Sequence, residues 1–443
     1  MNKIRIKQFK DKLIGNGFIG NSFTLAIANA IGIGSTILAS PFLTRIYSPS
    51  DFGIWSIFYS ITSILVVISA FRYELAIMLP KDDEEALDLV LLGVIINFIL
   101  VIFLSIIIYF WGTSISKVFG NHDLKHWLWL LPFNVLVMGI YQIITYWKNR
   151  KKQYKDIANS TMVTSVSNSG FQLSFGLLDI KPGGLLFAIT LSQLAGLICL
   201  IHDKIIDFLD YLKPKQIVCF FKSKVNKLFW TLRRYKDFPL FSIWAALLNT
   251  LTINLPAILI TYYFGPAVAG FYALGNRVIQ IPLNILGQSL SQVFFQRASE
   301  EKNNTGSIKI TLEQTFKILF LGGLPIVIIM AGIAPSLFGI VFGSKWYTAG
   351  KIILILSPWV FFRLLSSPLS IIFSIYERQK ILLLWQIGSF IFTILIFVVG
   401  GMWIKNYFYT FLILSITQSI FYFILILIVF KIGHLSLKIK KEE

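Results

Sequence analysis

Apolar positions run along this chain in long unbroken blocks, not in the short alternations of a half-buried strand. Stretches free of Asp, Glu, Lys, Arg and His cover 13–44, 52–71, 89–116, 127–147, 157–178, 182–201, 238–276, 278–296, 318–344, 381–404 and 406–430. A helix needs roughly 20 mostly apolar residues to cross a bilayer. The 238–276 block is too long for one crossing and breaks at Gly265-Pro266, and 350–376 reads as one more span interrupted only by Lys351 and Arg363. The pattern therefore predicts twelve helices, at about 21–46, 52–75, 86–111, 125–148, 155–178, 183–202, 237–263, 267–294, 314–343, 350–376, 381–403 and 406–431. Only helices and closed barrels satisfy the backbone in lipid. Barrel strands would show short alternating segments, so the fold class is an all-α membrane protein of about twelve transmembrane helices.

Charge then gives the helices a direction. The N-terminal segment, the even-numbered loops and the tail hold 31 Lys and Arg, the odd-numbered loops hold seven, and Arg277 and Arg363 lie inside spans. The positive-inside rule places both termini in the cytoplasm. Composition agrees: 56% of residues are hydrophobic and 14% charged, against about 25% charged in a soluble protein. The net charge of +19 is spread over cytoplasmic loops, which points to topology and membrane lipid and away from nucleic acid. Cys199 sits near a cytoplasmic helix end and Cys219 in a cytoplasmic loop, so no disulfide is expected. The first apolar run is long and followed by eleven more, unlike a cleaved signal.

The twelve spans divide six and six. Residues 1–202 form one six-helix lobe, 203–236 a cytoplasmic linker and 237–443 the second lobe. In the linker Ile217, Val218, Phe221, Val225, Leu228, Phe229 and Leu232 recur at helical spacing among basic residues. That predicts an amphipathic helix in the headgroup layer or a solvated connector. The lobes look duplicated. Tyr47-Ser48-Pro49-Ser50-Asp51-Phe52-Gly53-Ile54-Trp55 and Phe264-Gly265-Pro266-Ala267-Val268-Ala269-Gly270-Phe271-Tyr272 share the pattern aromatic-x-Pro-x-x-x-Gly-x-aromatic. Val118-Phe119-Gly120 and Val341-Phe342-Gly343 repeat at a similar offset, each followed by a proline in the next span, Pro132 and Pro358. Parallel repeats of this kind mark transporters, with a central cavity and the substrate path between the halves.

Soluble-enzyme motifs are missing or misplaced. Gly15-Asn16-Gly17-Phe18-Ile19-Gly20 matches G-x-G-x-x-G in letters, but it precedes a membrane span where a strand and a βαβ unit are required. No P-loop and no H-E-x-x-H occurs. No cofactor, no metal and no enzymatic activity are expected. The informative residues are polar groups at membrane depth, which usually face a cavity or the bundle interior. In helix 8, Asn276, Gln280, Asn284, Gln288 and Gln292 step by four, with Gln296 next. Interhelical glue, worth about 0.6 kcal/mol a bond, would account for two such amides. Five in register suit a wet wall better. Helix 5 holds Asn159, Ser160, Thr161, Thr164, Ser165, Ser167, Asn168, Ser169, Gln172 and Ser174, and Asn21 and Asn29 of helix 1 can join it. Such residues suit a hydroxyl-rich ligand such as a sugar. Arg277 and Arg363 lie within spans, where a charge costs about 2.5–3.5 kcal/mol on insertion scales. An anionic ligand would offset that, since guanidinium pairs bidentately with phosphate. Arg45, Arg72 and Glu74 lie near span ends, where snorkelling or local pairing accounts for the two arginines more readily than substrate contact does.

Thr44 through Gly53, Arg72-Tyr73-Glu74-Leu75-Ala76-Ile77-Met78-Leu79-Pro80 with the acidic loop behind it, and Gly265-Pro266 through Gly270 carry a family resemblance. The chain resembles Wzx-type lipid-linked oligosaccharide flippases, the O-antigen and polysaccharide translocases of the multidrug/oligosaccharidyl-lipid/polysaccharide exporter superfamily. The resemblance implies two six-helix lobes around a cationic cavity that opens to each side in turn. It implies an undecaprenyl-diphosphate-linked sugar as substrate, and polysaccharide-assembly proteins as partners. Drug exporters of the superfamily often use an acid in helix 1, and here no Asp or Glu lies between Asp11 and Asp51. Two other readings remain: a cation-coupled drug or metabolite antiporter on the same fold, and a membrane glycan polymerase or ligase. The latter would call for a large outer loop with clustered charges, and the largest here is about 112–124.

Overall fold

The computed structural model describes residues 18–118, 124–202, 227–376 and 378–434. Twelve long helices lie among them: α1 (Phe18–Ile46), α2 (Pro49–Ile68), α3 (Asp83–Val118), α4 (Leu130–Arg150), α5 (Tyr154–Leu177), α6 (Gly183–Ile201), α7 (Ile243–Phe264), α8 (Pro266–Thr305), α9 (Lys309–Val341), α10 (Tyr347–Ser366), α11 (Gln379–Val399) and α12 (Tyr407–Gly433). Each corresponds to one predicted span, and no strand occurs among the described residues. Four elements depart from expectation: α3 runs on to Val118 instead of ending near 111, α10 stops at Ser366 and leaves Pro368–Ile371 and Ile372–Ile375 as separate short helices, and α2 and α8 differ as well. α2 stops at Ile68, and 69–82 is a turn-rich segment holding the short helix Tyr73–Ala76. α8 does not end near 294 but runs to Thr305, about 60 Å in all at 1.5 Å per residue. Its last turns, with Arg297, Glu300, Glu301 and Lys302, extend well past a hydrocarbon layer about 30 Å thick.

Ten of these helices are long and apolar enough to cross a membrane. In each, between 17% and 56% of the most apolar window is buried inside the protein. Packing alone does not explain so much apolar surface. Side chains such as Leu38, Ile340 and Trp403, each more than 70% exposed, need lipid to cover them. The two long helices outside the ten are α5 and α8, the pair singled out by their amides and hydroxyls.

The described residues fall into two compact units, one within Met1–Tyr47 and Ile54–Leu255, the other within Ser48–Gly53 and Pro256–Glu443. The first turn of α2 thus groups with the second unit, and its packing shows why. Ser48 caps the helix: its N–H and hydroxyl both donate to Asp51 Oδ2 at 2.8 Å, and Asp51 N–H donates back to Ser48 Oγ at 3.3 Å. Pro49 opens the helix, where a missing N–H has no cost. Pro266 opens α8 the same way after Gly265 at φ 86°. These two repeat-related turns then lock into one another. A Cβ on Gly53 would stand 1.8 Å from the Pro266 carbonyl oxygen, and one on Gly270 would stand 1.8 Å from the Pro49 carbonyl oxygen. The contact is reciprocal, as a pseudo-twofold axis through the pair would make it. Trp346 is fully buried beside it, edge-on to Phe52 at 5.0 Å and to Phe271 at 5.9 Å. The other anchor of the repeat, at Phe119 and Gly120, lies outside the described residues.

Residues 203–226 of the linker lie outside the described residues. Its end, 227–234, is helical and packs on protein. Leu228, Thr231 and Tyr235 are buried. Tyr235 Oη donates to Glu85 Oε1 at 2.9 Å, Arg234 pairs with the same carboxylate at 2.8 Å, and Tyr73 Oη donates to the Leu232 carbonyl at 3.2 Å. Phe229 and Trp230 stay exposed, so one face is docked on the first unit while the other keeps an aromatic surface. A cleft of about 570 Å³ remains between Lys227 and Trp230 and the acidic start of α3.

Candidate functional site

The two polar helices satisfy their polarity in different ways. In α5 the hydroxyls turn back on their own helix: Thr161 to the Ile157 carbonyl at 2.8 Å, Thr164 to Ser160 at 2.9 Å, Ser165 to Thr161 at 2.9 Å and Ser169 to Ser165 at 3.3 Å. Ser160 instead reaches the Gly196 carbonyl of α6 at 2.7 Å. Small residues let the neighbours approach closely. A Cβ on Gly32 of α1 would lie 2.7 Å from Ser165 Oγ, and one on Gly196 would lie 1.9 Å from Thr164 Oγ1. This is the small-residue packing expected of helices in lipid. Gln172 is buried, its Nε2 donating to Asn168 Oδ1 at 3.4 Å and its carbonyl accepting from Tyr47 Oη at 2.9 Å. Much of what makes α5 polar is therefore used within the first unit. Asn29 and Asn159 are exposed.

In α8 less is used. Asn276, Arg277 and Gln280 are half-buried, and Gln280 Nε2 donates to Asn276 Oδ1 at 3.4 Å, the first rung of the expected ladder. The side chains of Asn284, Gln288, Gln292 and Asn21 lie outside the described residues. Arg277 comes about 16 Å along α8 from Pro266 at 1.5 Å per residue, about half the thickness of a hydrocarbon layer. Arg363, also half-buried, sits in the last turn of α10, with its guanidinium 5.9 Å from the Trp359 ring centroid. A cation over an aromatic face is stabilised by about 0.5–2 kcal/mol according to its desolvation. The second unit thus holds both intramembrane arginines and the amide ladder, while Arg45, Arg72, Asn168 and Gln172 belong to the first. Arg45 is exposed at the end of α1.

Arg72 is engaged close to home. Phe71 and Arg72 both adopt left-handed backbone, at φ 47° and 65°, a conformation uncommon outside glycine and often kept at functional sites. Arg72 Nη1 lies 3.4 Å from Glu74 Oε1, and Gln142 Nε2 donates to that oxygen at 3.2 Å. Glu74 is 2% exposed, and burial pushes its carboxyl above the usual carboxylate range, against the lowering effect of its own backbone hydrogen bond and of Arg72. The sequence reading placed both Arg72 and Glu74 near a span end but chose only Arg72 as a site residue. Its motif places Glu74 two residues on, but the partner Gln142 is distant in the chain and carries no signal of its own.

Residues 42–351 match the family described as polysaccharide biosynthesis protein. The teichuronic acid biosynthesis protein TuaB of Bacillus subtilis (strain 168) is 22% identical over 317 residues, which is 71% of this chain. The match spans 62% of that relative, less than two thirds of its length. Among solved structures, the lipid II flippase MurJ in an inward closed conformation superposes with a TM-score of 0.69 at 14% identity, covering 93% of this chain and 87% of its own. An inward-facing multidrug resistance MATE transporter of the MOP superfamily superposes with a TM-score of 0.61 at 14% identity, covering 92% of this chain and 97% of its own. At such identity these matches establish the fold alone, shared with these two transporters.

Proposed function

We propose that this chain, which belongs to the polysaccharide biosynthesis protein family, moves a lipid-linked sugar unit across the bacterial inner membrane, from the cytoplasmic to the outer leaflet. The expected substrate is an undecaprenyl-diphosphate-linked polysaccharide or O-antigen repeat unit. The expected route is a central cavity between lobes of six helices each, reached by alternating access with both termini cytoplasmic. One observation carries the reading. α8, too polar to rank among the apolar spans, carries Arg277 with Asn276 and Gln280, about 16 Å along the helix from its first residue and so at about half the thickness of a hydrocarbon layer. A guanidinium there suits a diphosphate, amides suit a glycan, and lipid outside the helix suits a polyprenyl tail. Holding an arginine at that depth is unfavourable unless it has a use.

Depletion in a strain with no paralogue should strand lipid-linked repeat units on the cytoplasmic leaflet, as measured by accessibility to an impermeant lectin or hydrolase. Normal delivery to the outer face would overturn the reading. The same fold serves a multidrug transporter, so a drug-sensitive host gains a second test. Resistance on expression, with delivery of the lipid-linked unit unaffected, would favour an antiporter instead.

A further inference from the structure

The turn after α2 holds a carboxylate that a diphosphate cargo does not require. Glu74 is buried and uses one oxygen. Oε1 meets Gln142 Nε2 and Arg72, whereas Oε2 and Arg72 Nε are buried with no hydrogen-bond partner among the described residues. A carboxylate so loosely held is an expensive anion to bury and a much cheaper neutral acid. The rest of the turn is fastened. Arg150 Nη1 donates to the carbonyls of Ile77 at 3.1 Å and Pro80 at 2.8 Å, and Tyr73 holds Leu232. The Arg72 side chain, 20% exposed, is the part with room to move.

The surroundings hold few competing charges. From α4, Gln142 and Tyr146 face the pair, Tyr146 lying within electrostatic reach of both. From α3 the packed residues are Ala86, Leu89 and Val90. Its acids are engaged elsewhere or exposed: Asp83 with Arg150 and Lys151, Glu85 with Arg234 and Tyr235, Glu84 at the surface, and Asp88 buried beyond them with partners of its own. From the segment before α7, Tyr235 and Phe238 pack on the turn, and Lys236 and Asp237 are exposed.

We propose that Glu74 is a proton-binding site on the cytoplasmic side of the first unit, and that proton binding there releases Arg72 to the anionic headgroup of the substrate. The second half rests on the flippase reading; the first does not. The carboxylate takes a proton from cytoplasmic water and becomes a neutral acid. The pair passes from net zero to one positive charge, and the guanidinium is free to exchange its single long contact with the carboxylate for a bidentate one with a phosphate. When the phosphate leaves, Arg72 returns to Glu74 and the proton goes back to cytoplasmic water, so one proton is bound and released in each turnover.

Infrared titration of the full-length protein in phosphatidylethanolamine–phosphatidylglycerol vesicles tests the site directly. A protonated-carboxyl band should persist to higher pH than an exposed glutamate, near pKa 4.3, would allow. It should vanish in Glu74→Gln. Gln142→Leu, which removes the donor to the carboxylate, should shift its midpoint further up. Absence of the band, or its survival in Glu74→Gln, overturns the site. Should Glu74→Gln fail to accumulate, the wild-type band and the Gln142→Leu shift still decide. In transport assays Glu74→Gln should lose pH dependence, and Arg72→Ala should be slow at every pH. A wild-type pH profile in Glu74→Gln overturns the coupling. A Glu74 band in a protein that moves no lipid-linked sugar leaves the proton site standing and sinks the flippase reading alone.

Discussion

Gly270→Ala is expected to cut the yield of folded protein severely, although alanine is the better helix former. Helix propensity favours Ala over Gly by about 1 kcal/mol in a helix interior. The added Cβ would lie 1.8 Å from the Pro49 carbonyl oxygen and 2.7 Å from its carbon. The obstacle is backbone, so no rotamer change relieves it. Overpacking typically costs about 1–3 kcal/mol, and more where the neighbour cannot move, so the clash wins. Gly53→Ala should do the same through Pro266. Gly322→Ala is the control. It lies inside α9 with nothing within 4 Å of its Cβ position, so it should be neutral or mildly stabilising. Thermal stability in detergent, read by monodisperse fraction after heating, orders the three. Gly270→Ala matching Gly322→Ala would show that the two turns separate easily.

That interlock was legible in part. The repeated aromatic-x-Pro-x-x-x-Gly-x-aromatic pattern marks Gly53 and Gly270 as equivalent, but equivalence does not say that the two copies touch. Ten of the twelve long helices were legible because lipid selects apolar side chains continuously, a signal that needs no tertiary context; α5 and α8 were legible only as runs nearly free of charged residues. α8 was misjudged at its end because an apolar scan stops where charges start, whereas helix geometry does not. Arg297 through Thr305 continue the helix as a polar extension. α5 shows the opposite limit. A row of Ser and Thr reads the same whether it faces a sugar or donates to the carbonyl one turn back, and here Thr161, Thr164 and Ser165 donate back. The pairing of Glu74 with Gln142 was out of reach, because a single amide on a distant span carries no pattern. Of the linker, the end at 227–234 is helical, and Glu85 and Tyr235 bind that end to protein.

Arg277→Ala should slow transport severely while the protein level in the membrane holds. The two readouts separate function from folding because they are driven in opposite directions. An arginine at mid-helix depth costs about 2.5–3.5 kcal/mol on insertion, so its removal does not hinder integration of α8. A hydrogen bond to a charged group is worth about 1.5–3 kcal/mol, and each 1.4 kcal/mol is tenfold. Losing a bidentate contact with the diphosphate should therefore slow flipping by roughly ten- to a hundredfold. Arg277→Lys keeps the charge but not the planar fork and should fall between the two. Gln280→Leu removes the amide that donates to Asn276. It should slow transport of the sugar-bearing lipid more than that of a lipid carrying a single sugar, because the amide addresses the glycan and not the phosphate. Stranded lipid-linked units, counted against membrane protein level, read all three. Wild-type flipping by Arg277→Ala would remove that residue from the site. A matching loss of protein would instead give Arg277 a structural duty, and the search for the phosphate contact would move to Arg363.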